Sequence, residues 1–309
     1  MITMREEDNL NRLFISSKTE DVINFYSKFD KLQDLLNWSR NRPYRKAKIY
    51  ESNKTAKNDI IIVIPVIDHK SEHALNCKNS IFKDTHIIFV ESGAGDSYFN
   101  YARNCNIGLK YALKYNPKWI ILSNDDVYKI DDITILKNEL HKLSKENCEA
   151  IFIKPEPDYY HSYRISLVKR TALSKIYRSL SKSRRIEERL LDKFKVKYSA
   201  IPTGINFKTF FLRVVYYPVL LNFINIGDFV IFNAKFIKKK HGKVFDEMFI
   251  SGWEDVDLSI KLVAIKIVNF RIGSKRGKSL GQNNTRNLRN IINKLYFGIK
   301  ASSYLKQRR

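Results

Sequence analysis

Residues 60–66 read Ile-Ile-Ile-Val-Ile-Pro-Val, and residues 86–90 read His-Ile-Ile-Phe-Val. Short, continuous apolar runs of this kind are the signal of strands buried on both faces. Between them and a third run, Trp119 to Ser123, lies a stretch from about Tyr98 to Tyr115 that puts Ala102, Cys105, Leu109, Ala112 and Leu113 on one helical face. Asn116-Pro117 closes that helix. Strand, helix, strand implies a parallel sheet. A further helix from Asp131 to Glu146 and a strand at Ala150 to Ile153 extend the rhythm, so residues 59–154 are predicted to form a doubly wound α/β half-domain. In such sheets ligands sit beyond the carboxyl ends of the strands.

The rhythm breaks on both sides of this half. Residues 1–57 are predicted to be a helical extension: Ser17 and Glu20 have capping-box spacing, Val22 to Leu36 carry apolar residues at helical period, and Arg42-Pro43 ends the helix. Residues 155–222 open with Pro155-Glu156-Pro157 and continue as a strongly basic, helix-like segment from Arg164 to Lys197, which marks an insertion. A strand at Asp228 to Phe232 then resumes the α/β domain. Helices at Ala234 to His241 and Glu254 to Ile265 follow, with a strand at Lys266 to Phe270 between the second of these and a helix from Thr285 to Lys300. The expected organisation is an extension over 1–57, one domain over 58–300 that contains the insertion, and a basic tail over 301–309.

Charge narrows the partner. With 56 Lys and Arg against 32 Asp and Glu, the 309-residue chain carries a formal +24, which suits an anionic partner such as nucleic acid, lipid headgroups or phosphorylated small molecules. Cys77, Cys105 and Cys148 form no CxxC or Cys/His pattern and fit a reducing compartment. The acidic start from Met1 to Asn9 lacks the basic and apolar regions of a secretory signal, and Phe210 to Ile226 is too interrupted to span a bilayer. The expected location is cytoplasmic, with peripheral attachment to the inner face of the cell membrane as an extension of that reading: the basic insertion interleaves Leu167, Leu173, Ile176 and Leu180 with its cations and is read either as a surface for an anionic bilayer or as a solvated helix.

Three constellations carry chemistry. Ser123-Asn124-Asp125-Asp126 stands where the third strand runs out, and adjacent carboxylates there suit a hard divalent ion such as magnesium or manganese, completed by substrate phosphates and water. Acidic turns also occur with no metal. Ser251-Gly252-Trp253-Glu254-Asp255-Val256-Asp257 crowds three carboxylates into the first turn of a helix, either as caps of its dipole or as a general base beside an aromatic platform. Val90-Glu91-Ser92-Gly93-Ala94-Gly95-Asp96, at the end of the second strand, permits close backbone approach of a ligand or is an ordinary loop.

In this order the pieces resemble the family 2 glycosyltransferases of the GT-A fold, over roughly residues 59–300. The resemblance implies a Rossmann-like, mostly parallel sheet flanked by helices and an inverting transfer from a nucleotide diphosphate sugar. Pro65 and Val66 look like the family's opening Ile-Pro-Val, which lines the nucleobase pocket. Glu91 stands where the family usually has an aspartate reading the base, one methylene longer here. Arg103, Asn106 and Gly108 lie in a segment like the family's Asn-x-Gly helix beside the nucleotide. Asn124, Asp125 and Asp126 match the DxD-type motif, in which Asp126 would hold the metal and Asp125 approach the ribose. Gly227-Asp228-Phe229, Phe245 to Phe249 and Gly252-Trp253-Glu254-Asp255 resemble acceptor-side segments, which assigns Asp228, Trp253 and Glu254 to the acceptor and Asp255 to the base. Many relatives add a histidine ligand after the last strand, but no histidine follows His241 in this chain. Lys275, Arg276 and Lys278 are expected to meet the diphosphate there instead. The expected acceptor is a glycan or a lipid-linked sugar. Two rival readings are a nucleic-acid-binding protein, disfavoured because clustered carboxylates repel phosphate, and a sugar nucleotidyltransferase, disfavoured by Gly-Trp-Glu-Asp.

Overall fold

The computed structural model describes residues 4–54, 59–92, 99–154, 162–180, 182–202, 215, 218–274 and 285–307. Its centre is a seven-stranded sheet built from β1 (Lys48–Ser52), β2 (Ile60–Val66), β3 (His86–Glu91), β4 (Trp119–Ser123), β6 (Ala150–Ile153), β10 (Phe229–Asn233) and β11 (Ile265–Val268) in the order β1-β3-β2-β4-β10-β6-β11. β2 runs parallel to β3 and β4, and β11 runs parallel to β6. β10 is antiparallel to both β4 and β6, so β6 points the same way as β4. Five strands therefore end on one edge of the sheet, joined there by the starts of β1 and β10.

The apolar run 60–66 explains the sandwich. Alternate side chains of a strand face opposite ways: Ile62 and Ile64 pack with Ala74, Cys77, Ile81 and Phe82 from α4 (Glu72–Asn76) and the π-helical turn after it, while Ile61 and Val63 pack with Ala102, Cys105 and Leu109 from α5 (Tyr101–Ala112). The crossover after β2 thus covers one face and the crossover after β3 the other. This places the topological switch between β2 and β4, where open α/β sheets hold ligands. Gly108 lets α5 lie against the sheet, since a Cβ there would stand 2.3 Å from Cγ1 of Val63 and 2.8 Å from Cγ2 of Val90.

The flanks differ from the sequence expectations. The extension is three helices, α1 (Met4–Ile15), α2 (Thr19–Ser27) and α3 (Leu32–Asn41), after which β1 joins the main sheet antiparallel to β3. Ser16 rather than Ser17 organises the α2 entry, accepting from the backbone N–H of Lys18 at 3.1 Å and donating to Asp21 at 2.6 Å. The insertion is not one basic helix: β7 (Tyr163–Lys169), β8 (Tyr198–Pro202) and β9 (Val219–Asn225) form a sheet with β7 central, and α7 (Ala172–Ser179) and α8 (Lys182–Lys193) connect β7 to β8. The expected tail is helical, for α12 (Ile291–Gln307) runs through it and buries Ala301 and Tyr304.

The two ends of the chain share one core. Phe14, Val22, Phe25, Phe29 and Trp38 pack with Leu191 of α8, with Phe194 just after it and with Leu288, Ile291 and Leu295. The buried Tyr26 hydroxyl ties this cluster together, donating to the carbonyl of Leu288 at 2.8 Å and accepting from the N–H of Ile292 at 3.1 Å. Among the described residues no helix is long and apolar enough to cross a membrane.

Candidate functional site

β4 ends in polar residues at the topological switch point. Ser123 is buried, and the backbone N–H of Asn124 donates to the carbonyl of Asp228 at 2.9 Å, which fixes the loop against the start of β10. The π-helical turn from Cys77 holds the other side: the Cys77 thiol meets the carbonyl of Asp125 at 3.4 Å, and the Asn76 amide donates to the carbonyl of Val127 at 3.2 Å. Asp125 is thereby buried, and burial, reinforced by the adjacent charge of Asp126, pushes its carboxyl from 3.8 up to about 6. β5 (Val127–Lys129) then pairs with β12 (Ile272–Ser274), setting Ser274 opposite Val127. β12 therefore ends opposite the residue that follows Asp126. Lys275, Arg276 and Lys278, expected at the diphosphate, lie outside the described residues.

The second constellation is built by a strained turn. Ser251 and Trp253 have φ of 52° and 75°, both left-handed, around Gly252. Gly252 itself has a φ of 155°, a conformation other residues rarely adopt, and a Cβ there would stand 2.6 Å from Oδ1 of Asn290, which would have to shift. The turn leads into α10 (Glu254–Ser259), whose three carboxylates have three fates. Glu254 is buried and folds back to accept from the N–H of Gly252 at 2.6 Å, and burial together with the charge of Asp255 raises its carboxyl well above the ordinary range. Asp257, fully buried, pairs with Lys261, with Lys300 at 2.7 Å and with the Tyr304 hydroxyl, so it holds α12 in place. Asp255 alone stays partly open. Its Oδ2 accepts from the Asn225 amide at 2.6 Å. Burial raises its carboxyl above the ordinary range, the charge of Asp228 adds to this, and the Asn225 bond opposes it. Trp253 rests on Phe297 with ring centroids 5.0 Å apart, so part of the expected platform is committed to packing.

Tyr101 connects the two constellations. Standing at the first turn of α5, it donates its hydroxyl to Oδ1 of Asn124 at 2.6 Å, and its own ionisation is opposed by burial and by the neighbouring Cys105, Glu254 and Asp228. Asn124 is thus bonded to both Tyr101 and Asp228, while Tyr101 lies within the influence of the charges of Glu254 and Asp228, and Asp255 within that of Asp228. Sequence reasoning assigned Tyr101 no role of its own. Its signal is its place, immediately after Asn100, which caps α5 by accepting from the N–H of Arg103 at 2.9 Å.

The nucleotide-side residues divide. Pro65 and Val66 lie at the end of β2, in register with Val90 and Glu91. Glu91 is held by His69, through the backbone N–H at 3.0 Å and ring Nδ1 at 2.6 Å, and the His69 ring stacks on Tyr50 of β1 at 3.7 Å. These bonds hold the Glu91 carboxyl below its ordinary range despite burial. Arg103 pairs with Glu247 at 3.1 Å and stacks over the exposed ring of Tyr44 at 3.5 Å, facing a recess of about 220 Å³ lined also by Arg40, Arg42 and Asn100. Asn106 is spoken for: its oxygen accepts from the N–H groups of Val244 and Phe245 and its amide donates to the Phe245 carbonyl and Glu247. All its hydrogen-bonding capacity goes into the protein, so it clamps the 244–247 segment instead of facing a ligand.

For a divalent ion, Asp125 and Asp126 supply carboxylate oxygens and a surplus of negative charge, which fits an ion completed by substrate oxygens and not an all-protein cage. Asp68, His69 and Glu91 form a separate group whose potential ligand atoms lie within 4.8 Å of one another, and the His69–Glu91 hydrogen bond already accounts for that closeness. Compared with protein-family models, curated proteins and solved structures, the chain matches none.

Proposed function

We propose that this chain transfers a sugar, with inversion, from a nucleotide diphosphate sugar to an acceptor hydroxyl. The observation that carries the reading is that the loop of Asn124 to Asp126 is bonded to Tyr101 and Asp228, and that Asp255, from a distant segment, feels the charge of the same Asp228. In this reading the nucleotide lies over the ends of β2 and β3, beside Pro65, Val66 and the Glu91–His69 pair, and its diphosphate lies toward Asp126 and the end of β12. Asp126, with Asp125, would hold a divalent cation, which supplies charge neutralisation for the departing diphosphate.

The acceptor hydroxyl is a poor nucleophile until its proton is taken. Asp255 suits that step because its carboxyl is more basic than usual and is aimed by Asn225, whose own oxygen accepts from Ser259 at 3.1 Å. The acceptor oxygen then bonds to the anomeric carbon as the bond to the diphosphate breaks, and the proton stays on Asp255. Asp228, Trp253 and Glu254 shape the acceptor side, Glu254 by fixing the turn that presents Asp255. The product would be a glycan or a lipid-linked sugar.

A panel of nucleotide diphosphate sugars with Mn²⁺ or Mg²⁺, monitored for nucleoside diphosphate release, tests the reading. Release that Asp255→Asn abolishes while donor binding by calorimetry persists is the expected result. Release of pyrophosphate from nucleoside triphosphates would point to a nucleotidyltransferase, and tight oligonucleotide binding with no donor recognition would point to a nucleic-acid-binding protein.

A further inference from the structure

α7 carries an apolar stripe on which, among the described residues, nothing packs. Its inward side is accounted for: Thr171 and Ser174 form a capping box at the start, Ser174 is buried, and Tyr177 packs against Val168, Ile201 and Val215. Leu173, Ile176 and Leu180, at i, i+3 and i+7, point the other way and are 53%, 64% and 76% exposed. Scattered exposed apolar side chains are ordinary, but three on one helical face form a contiguous patch.

The charges around the stripe are segregated. The described part of the insertion, 162–202, contains only three acids, Glu187, Glu188 and Asp192. Glu187 and Glu188 are buried and pair with Arg178 and Arg170, and Asp192 is met by Lys175 at 2.8 Å and by Arg170 at 3.1 Å. The acids therefore neutralise the inward cations, and no described acid of the insertion is left for the outward ones. Lys169 lies exposed before α7, and Arg184, Arg185 and Arg189 lie exposed on the packed neighbour α8. Arg185 reaches the end of the stripe itself, donating to the carbonyl of Ser179 at 3.1 Å.

An apolar helical face flanked by cations has the chemistry of a surface that lies in the headgroup boundary of an anionic bilayer. We infer that the α7–α8 unit docks the protein on an anionic lipid membrane, with Leu173, Ile176 and Leu180 entering the acyl boundary and Lys169, Arg184 and Arg185 meeting the headgroups. Docking does not depend on the transfer reading, and Asp255→Asn is expected to bind vesicles as the wild type does. Nucleic acid would satisfy the cations but leaves the aliphatic stripe without a partner.

The test is co-sedimentation of the full chain with phosphatidylcholine vesicles, with and without phosphatidylglycerol. The wild type is expected to pellet with the anionic vesicles, and less so as salt rises. The triple variant Leu173→Ser/Ile176→Ser/Leu180→Ser is expected to lose about tenfold or more in partitioning. Arg184→Gln/Arg185→Gln is expected to lose about thirtyfold, from roughly 1 kcal/mol per cation near an anionic surface. Unchanged thermal melts show that both variants, altered only at exposed positions, are folded. Equal pelleting with neutral vesicles, undiminished pelleting of the triple variant, or a stripe whose loss abolishes self-association or oligonucleotide binding while vesicles are ignored would each overturn the inference.

Discussion

Asp125 is the residue whose replacement tests the crevice without any knowledge of the substrate. Burial and the charge of Asp126 move its carboxyl from 3.8 in an ordinary setting to about 6 in the fold. In the window between those values the folded chain keeps a proton that the unfolded chain has lost, so unfolding releases a proton and stability falls as pH rises. Above both values the accumulated loss is roughly 3 kcal/mol, since each tenfold change in proton affinity corresponds to about 1.4 kcal/mol. Asparagine keeps the shape and removes the charge. Asp125→Asn should therefore match the wild type in urea unfolding at about pH 4 and exceed it by roughly 3 kcal/mol at about pH 8, in metal-free buffer. Saturating Mn²⁺ should narrow the gap by stabilising the wild type, by about 2.7 kcal/mol at a hundredfold excess over its dissociation constant. A variant no more stable than the wild type at high pH, or a gap that widens as pH falls, refutes the reasoning, because either result means that Asp125 gives up its proton as readily in the fold as out of it.

Asp255→Asn should lower turnover about 10²- to 10⁴-fold with donor affinity retained, read by product assay and calorimetry; full turnover removes Asp255 as base. Asn225→Leu deletes a hydrogen bond to its carboxylate, of a kind that contributes about 1.5–3 kcal/mol. On the acid limb of the pH–rate profile kcat/KM should fall about ten- to a hundredfold, with the alkaline plateau little changed, because Asp255 then holds its proton to higher pH; a uniform loss at all pH values argues that Asn225 only packs. Gly108→Ala should destabilise by about 1–2 kcal/mol, since overpacking against the stiff, buried Val63 and Val90 costs more than the roughly 1 kcal/mol that alanine gains in a helix; a raised melting temperature contradicts the close α5–sheet contact. Arg170→Ala should cost about 1.5–3 kcal/mol in urea unfolding because it removes one of the two cations on the buried Glu188, Arg178 keeping the other, and a neutral effect would mean that water reaches that pair.

The sheet was legible because its strands are defined by burial on both sides. Ile60 to Val66, His86 to Val90 and Trp119 to Ser123 have no amphipathic alternative, and the stripe Ala102, Cys105, Leu109 fits a helix laid over them. The insertion was misread because Arg164, Lys169 and Lys197 made a strand-helix-strand unit look like one basic helix. In β7 the alternation is real: Ile165 and Leu167 pack with Phe249 and Phe297, but the neighbouring cations mask a period that only spans seven residues. β1 was missed for a related reason. Lys48 to Ser52 is half polar because it lies on the sheet edge, where the strand's pairing with β3 and not its hydrophobicity decides its conformation.

The candidate site was legible in its carboxylates but not in the groups that hold them. Asp125, Asp126 and Asp255 stand out because charge is costly at strand ends and helix starts unless something uses it. Tyr101, Asn225 and His69 have no such mark, since a tyrosine after a helix cap, an asparagine ending a strand and a histidine in a loop are each ordinary alone. Their roles come from contacts across 23, 30 and 22 residues of chain, which no local pattern encodes. The same separation explains Asn106. Its spacing to Gly108 fits a nucleotide helix, yet the partner that consumes its amide lies 139 residues further on, at Phe245. Local spacing thus predicts where a polar side chain sits on its helix, and only the packed fold decides whether any of its hydrogen bonds remain for a ligand.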